Sequence, residues 1–203
     1  MERTTTPVPF IGGKVVVLNG FPGTGKLTIL NKLKEHLPAD RTRLLDNHLL
    51  IDPVAAVIPG RTDEHHELRR LVRAPIFETL RNHVREGHVI LMTACLAEDS
   101  DRDTAFLKEH LDIVRGTSLP IFWINAHCDQ ATLEQRLQSS ERREGGKSKL
   151  TEVCVLRDLL LENRLIEPSK SADESTRLVM GYLDTSGPVE VSVSRLISMI
   201  TCT

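Results

Sequence analysis

Aromatic residues are scarce, at 3% of the chain. Their scarcity excludes the stacking platform on which proteins hold single-stranded nucleic acid. An excess of one charge is missing too: the formal net charge is −2. No general electrostatic footprint for nucleic acid or a membrane surface follows from such a balance. The four cysteines, Cys95, Cys128, Cys154 and Cys202, form no CxxC pair. They read as reduced thiols in a reducing compartment, not as a disulfide framework or a zinc site. No apolar run approaches the length of a membrane span. The polar start, Met1-Glu2-Arg3-Thr4-Thr5-Thr6-Pro7, lacks a signal-peptide apolar core. A cytoplasmic protein is expected, with no membrane or nucleic-acid partner, as a monomer or homodimer.

At 203 residues the chain is long enough for one domain with a substantial core. Its apolar segments alternate between two lengths. Short continuous runs at Val15–Leu18, His88–Ala94 and Pro120–Asn125 read as strands covered on both faces. Arg41–Leu45 and Arg177–Leu183 add a second and a fifth strand. Between them lie amphipathic stretches: Ile29–Leu37, a segment helical after Pro53, Thr62–Arg85 with Pro75 inside it, and Asp101–Val114. Gln130–Ser139, Thr151–Leu165 and a stretch opened by Pro188 follow. Ser100 with Asp103 resembles a capping box, and Asp129 an N-cap. Five strands alternating with helices predict a doubly wound parallel sheet, with ligands outside the carboxyl ends of the strands.

One stretch organises the rest. Gly20-Phe21-Pro22-Gly23-Thr24-Gly25-Lys26-Leu27-Thr28 follows the first strand and opens the first helix. This is the context and spacing of a phosphate-binding loop. Inward backbone N–H groups, a helix N-terminus and a lysine together suit a triphosphate. Leu27 stands where Ser or Thr usually follows the lysine, and Thr28 comes one place later. Either Thr28 supplies a hydroxyl to Mg²⁺, or the ion is held by phosphate oxygens, waters and a carboxylate. Asp46 ends the second strand, where a carboxylate can take the proton of an attacking hydroxyl, orient it, or hold Mg²⁺ through water. Asn47 and His48 beside it are candidate substrate contacts. Arg136, late in the helix after strand four, and Arg142 and Arg143 in the polar segment beyond it are candidates to neutralise phosphoryl charge. Arg73, on the long helix, is a candidate substrate contact. The third strand ends in Thr93, Ala94 and Cys95, where many P-loop proteins place an aspartate.

The ending Gly25-Lys26-Leu27-Thr28 resembles that of the adenylate-kinase-like P-loop kinases, whose hydroxyl also comes one place late. Leu133-Glu134-Gln135-Arg136 before a basic stretch is similar to their lid entrance, and Leu183-Asp184-Thr185-Ser186 to the segment lining their adenine pocket. With Asp46 after strand two, these features resemble the chloramphenicol phosphotransferase-like and related small P-loop kinases. The resemblance implies a three-layer α/β P-loop NTPase fold: a five-stranded parallel sheet, helices on both faces and a helical lid. It implies a single kinase domain over 1–203, with a loose lead-in at 1–13 and a lid at about 138–150. It further implies ATP and Mg²⁺, with the γ-phosphate passing to a hydroxyl of a small molecule. Lys26, Asp46, Arg136 and Arg142 would carry the chemistry, with Gly20 to Thr28, Arg136 and Thr185 around the nucleotide. A nucleoside or nucleotide kinase of the same fold, or a nucleotide-binding regulatory protein with little transfer activity, are the alternatives.

Overall fold

Continuous apolar runs become strands walled by helices on both sides. The computed structural model describes residues 12–138, 150, 152–168 and 175–201. The strands are β1 (Lys14–Asn19), β2 (Thr42–Leu45), β3 (Val89–Ala94), β4 (Pro120–His127) and β5 (Arg177–Asp184). The helices are α1 (Lys26–Lys34), α2 (His48–Val57), α3 (Asp63–Arg85), α4 (Asp101–Asp112), α5 (Gln130–Leu137), α6 (Val153–Glu162) and α7 (Val189–Thr201). Expectations for the first eleven residues of the lead-in and for most of the lid, 139–149, lie outside the described residues. Arg142 and Arg143 are among these.

All strand pairings are parallel, in the order β2-β3-β1-β4-β5. The connection from β1 runs outward past β3 to β2, and the connection from β3 crosses to the other side of β1. The direction therefore reverses around β1, and the crevice of a doubly wound sheet opens there. Every residue of β1 and β3 is buried. Alternation divides their side chains between two cores. Val15, Val17, Ile90, Met92 and Trp123 pack with Phe77, Leu80, Phe106 and Leu107 of α3 and α4. Val16, Leu18, Leu91, Phe122 and Ile124 pack with Ile29, Leu30 and Leu33 of α1 and with Val193, Leu196 and Ile200 of α7. Each large side chain so buried contributes roughly 1.5–3 kcal/mol. Among the described residues, no helix is long and apolar enough to cross a membrane.

Side-chain caps set the starts of α3, α4 and α5. Thr62 Oγ1 accepts from His65 N at 3.2 Å, and Asp129 Oδ1 from Thr132 N at 2.8 Å. Ser100 Oγ accepts from Asp103 N, but the Asp103 carboxylate accepts from Ala97 N at 2.9 Å, so only half of the expected capping box forms. Two prolines behave differently from expectation. α2 begins at His48, five residues before Pro53, and α3 runs through Pro75 undivided. A helical proline frees the carbonyl four residues back. Those residues are Leu49 and Leu71, both more than half exposed, so water can take the freed carbonyls. At the other end of the chain, Lys14 Nζ donates to Ile200 O at 2.9 Å, tying β1 to the last turn of α7. The lead-in also ends earlier than expected. Gly13 is buried, and a Cβ there would lie 1.8 Å from Val84 O.

His110 of α4 is enclosed by Phe77, Phe106 and Trp123, with Nδ1 donating to Phe106 O at 2.8 Å. Burial, above all, pushes its pKa down to about 4. The unfolded chain therefore binds a proton at His110 that the folded chain refuses. The neutral ring's stabilising contribution is complete above the ordinary histidine value and falls away as pH drops from about 6.5 toward about 4. Urea unfolding should show a loss of about 2 kcal/mol between about pH 7 and about pH 5 from this group. His110→Leu should remove that share of the pH dependence; an unchanged profile would contradict it.

Candidate active site

The turn between β1 and α1 is shaped by glycines where nothing larger fits. Gly23 has φ 92°, and a Cβ on it would come within 2.8 Å of Leu137 Cδ1 and 3.1 Å of Leu133 Cδ2. Gly25 caps α1 with φ 77° and no side-chain hydrogen bond. The N–H groups of Gly23, Gly25, Leu27 and Thr28 meet no acceptor among the described residues. These are the orphan donors of a helix start, concentrated on one concave turn. Lys26 Nζ folds over the turn, donating to Gly20 O at 2.5 Å, Phe21 O at 3.0 Å and Thr24 Oγ1 at 3.3 Å. Thr24 Oγ1 in turn donates to Phe21 O at 2.8 Å. Thr28 is exposed on the first turn of α1, its hydroxyl without a hydrogen bond among the described residues.

A buried amide network holds the floor beneath this turn. Asn19 Nδ2 donates to Leu96 O at 3.1 Å and Asn125 Oδ1 at 3.0 Å, and Asn19 Oδ1 accepts from Leu96 N at 2.8 Å. Asn125 continues the network: Trp123 Nε1 donates to its Oδ1 at 3.2 Å, and its Nδ2 donates to Ile166 O at 3.2 Å. The sequence places Asn19 and Asn125 at strand ends, but it does not reveal that they bond each other. That follows from β1–β4 register, in which they are paired neighbours.

Asp46 is buried at the end of β2. β3 lies between β2 and β1, and Thr93 of β3 forms the bridge. Thr93 Oγ1 donates to Asp46 Oδ1 at 2.9 Å and accepts from Asn47 N at 2.9 Å. A hydroxyl thus stands where many P-loop proteins place an aspartate, and it orients Asp46. His48 Nδ1 and Asp52 Oδ1 face each other at 3.6 Å, one turn apart on α2. Both atoms, and Asn47 Oδ1, are buried without a hydrogen bond. Within this wall His48 and Asp52 have each other, and Asn47 Oδ1 makes no hydrogen bond among the described residues.

Arg136 reaches from α5 to the far side of the turn. Its Nη2 donates to Thr185 O at 2.9 Å and its Nη1 to Cys128 Sγ at 3.5 Å. A Cβ on Gly25 would lie 3.8 Å from Nη1. Arg136, Thr185 and the phosphate-binding turn are therefore brought together. Thr185 is buried, its Oγ1 donating to His127 O at 2.9 Å, and Ser186 Oγ accepts from Asp129 N at 2.9 Å. Glu134 pairs with Arg157 of α6 through two bonds of 2.7 Å. Arg157, then Gln130, hold its carboxyl down to about 2.

Arg73 is placed between α3 and α4. Its Nε and Nη2 donate to Glu109 at 2.6 and 2.7 Å, and its guanidinium lies 4.0 Å from the Phe106 ring centre. One turn earlier, Arg69 is the guanidinium of this helix face without such a partner. Cys95, exposed to the crevice yet densely surrounded, has its thiol pushed up by burial, with Lys26 and Arg61 pulling it back.

A protein-family model described as an AAA domain matches residues 16–154. No curated protein matches in sequence. Among solved structures, an unliganded sugar kinase from Janibacter sp. HTCC2649 is similar, at 18% identity and TM-score 0.54, over 93% of this chain and 94% of that one. Shikimate kinase from Acinetobacter baumannii in complex with shikimate matches at 16% identity and TM-score 0.54, over 93% of each chain. Thymidylate kinase from Candida albicans matches at 14% identity and TM-score 0.56, over 94% of this chain and 91% of that one. At these identities the likeness is one of fold.

The amide network yields a stability prediction. Asn19→Ala would leave Leu96 N–H buried without an acceptor and Asn125 Oδ1 with Trp123 Nε1 alone, at a cost of about 1–3 kcal/mol. Urea unfolding should report that loss, and a change within about 0.5 kcal/mol, the range of ordinary surface substitutions, would show the network to be incidental.

Proposed function

The chain belongs to the AAA domain family, and on that premise we propose that it is an ATP-dependent, Mg²⁺-assisted phosphotransferase acting on a hydroxyl of a small molecule. The observation that carries this reading is one crevice edge with two complementary parts. On one side are the unclaimed amides of the turn with Lys26. On the other is a buried carboxylate, Asp46, held by Thr93 and bordered by unsatisfied polar atoms.

The amides of Gly23, Gly25, Leu27 and Thr28 cradle the β- and γ-phosphates, and Lys26 exchanges the carbonyls of Gly20 and Phe21 for phosphate oxygens. Arg136 lies beside Gly25 and meets negative charge on the transferring group, while Thr185 lines the purine side. Arg142, outside the described residues, adds a second positive charge for the transferring group. Asp46 takes or orients the proton of the acceptor hydroxyl. The acceptor oxygen then forms its bond to the γ-phosphorus as the bond to the β-phosphate oxygen breaks and ADP leaves. Asn47 and His48 hold the acceptor through the polar wall, and Arg73 frames it from α3 through Glu109.

The donor set suits Mg²⁺, which binds oxygen, retains waters and is commonly carried by phosphates with one or two protein groups. Among the described residues no cluster of three or more His, Cys, Asp or Glu could hold a metal. Thr28 Oγ1 is the hydroxyl available on α1, and the ion would neutralise phosphate charge there.

ATP with Mg²⁺ should raise the melting temperature, and Lys26→Ala should abolish the rise; no shift in the wild type would refute nucleotide binding. Asp46→Asn should keep that shift and slow transfer by about a hundredfold or more, as for other lost general bases. Loss of the ATP γ-phosphate, followed across alcohols, sugars, nucleosides and antibiotics, measures it. Transfer at the wild-type rate would remove Asp46 from the reaction.

A further inference from the structure

We propose that Arg69, with Arg61 beside it, binds an anionic group on the acceptor molecule, a carboxylate or a phosphate. The proposal rests on the phosphotransferase reading and narrows its substrate class.

The basic residues around the start of α3 can be matched with their partners one by one. Arg73 is taken by Glu109, Arg70 by Glu67 at 2.7 Å, and Arg102 by Asp63. Asp103, the remaining carboxylate near them, accepts from Ala97 N at 2.9 Å. Arg61 and Arg69 are left with no ion-pair partner among the described residues. Arg61 is exposed, but Arg69 Nε is fully shielded from solvent and makes no hydrogen bond. Burial, then the charges of Arg73 and Arg61, press its pKa down to about 10, against the weaker pull of Asp103 and Glu109. It remains cationic at neutral pH. A buried guanidinium nitrogen without an acceptor is costly, and an anion that answers it recovers that cost. The planar fork of Arg69 suits a carboxylate or phosphate in particular.

The position of the pair argues for the acceptor side. α3 packs against α2, and α2 starts directly after Asp46. Arg61 acts on Arg69, His66 and Asp103, and also on Cys95, which lies in the field of Lys26 as well. The arginine pair and the phosphate-binding lysine therefore border one crevice from opposite ends. The donor phosphates have the turn amides and Lys26. Arg61 and Arg69 are one step removed, on the α2–α3 connection and on α3, and the α2 that packs there carries His48 and Asp52. An acceptor with both hydroxyl and acid groups would answer all of these at once. The formal charge of the whole chain conceals this local concentration.

The test keeps the donor site filled. With the full chain saturated by Mg²⁺ and a non-hydrolysable ATP analogue, inorganic phosphate and tartrate are titrated while melting temperature is followed. One or both should raise it further, and which one does separates a phosphate-bearing acceptor from a carboxylate-bearing one. Arg69→Gln should weaken that anion response about tenfold or more, as expected for a lost charge-assisted bond. Its analogue affinity should stay unchanged, and Arg69→Lys should recover part of the response. Arg61→Ala, at an exposed position, provides a second variant that leaves folding intact and should also weaken the response. An anion response equal in Arg69→Gln and wild type, or none in wild type while the analogue binds, overturns the proposal. If the analogue itself fails to bind, the phosphotransferase reading fails, and the Arg69 dependence of the anion response still decides the arginine assignment.

Discussion

A central strand buried on both faces cannot leave the polar groups at its end unanswered. β1 is such a strand, and Asn19, wholly buried, is its last residue. The Asn19 amide answers the problem by binding the loop after β3 and the end of β4, and Asn125 extends the tie to the segment after α6. The carboxyl edge of the sheet is thereby held as one unit from Leu96 to Ile166. The phosphate-binding turn can leave its own amides unclaimed because its foundation is satisfied below. Preorganisation of this kind is what electrostatic catalysis requires: donors fixed before the charge arrives.

The strands were legible because a parallel sheet covered on both faces needs unbroken apolar runs, and β1, β3 and β4 have them. The turn was legible because a helix start with glycines at tight places has few other uses. The comparisons bear out a small P-loop kinase fold with a five-stranded parallel sheet. The start of α2 was not legible. Pro53 suggests a boundary, but the cost of a helical proline depends on whether the carbonyl four residues back faces water, which only packing decides. The strand order was hidden as well. β3 inserts between β1 and β2, so the partner of Asp46 is Thr93, 47 positions away. The same limit applies to Arg73, whose partner Glu109 is 36 positions distant. From sequence alone, Arg69 and Arg73 are equivalent members of one helix; pairing across α4 separates them. Arg142 adds nothing to this comparison, since it falls outside the described residues.

The two ends of the crevice obey different rules. On the proposed reading, the donor end is built of backbone, which recognises phosphate through geometry that many side chains could surround. The proposed acceptor end is built of side chains on α2 and α3, each with its own hydrogen-bonding demand. Backbone donors in a tight turn tolerate little change, because Gly23 is pressed against Leu133 and Leu137. Helix side chains can be exchanged without disturbing the sheet. A family with one donor and many acceptors follows from this division.

The substitution of a hydroxyl for a carboxylate at Thr93 belongs to the same balance. A second carboxylate beside Asp46 would raise the cost of ionising both, since like charges at close range oppose one another. Thr93 instead donates a hydrogen bond to Asp46 and adds no negative charge. Asp46 thus stands at the end of β2 with a hydroxyl, not a second carboxylate, across from it. Such a field attracts an anionic donor and resists an anionic acceptor less than a pair of carboxylates would. The leucine after Lys26 fits this arrangement, because it leaves charge neutralisation to cations already in place and to an ion carried in on phosphate.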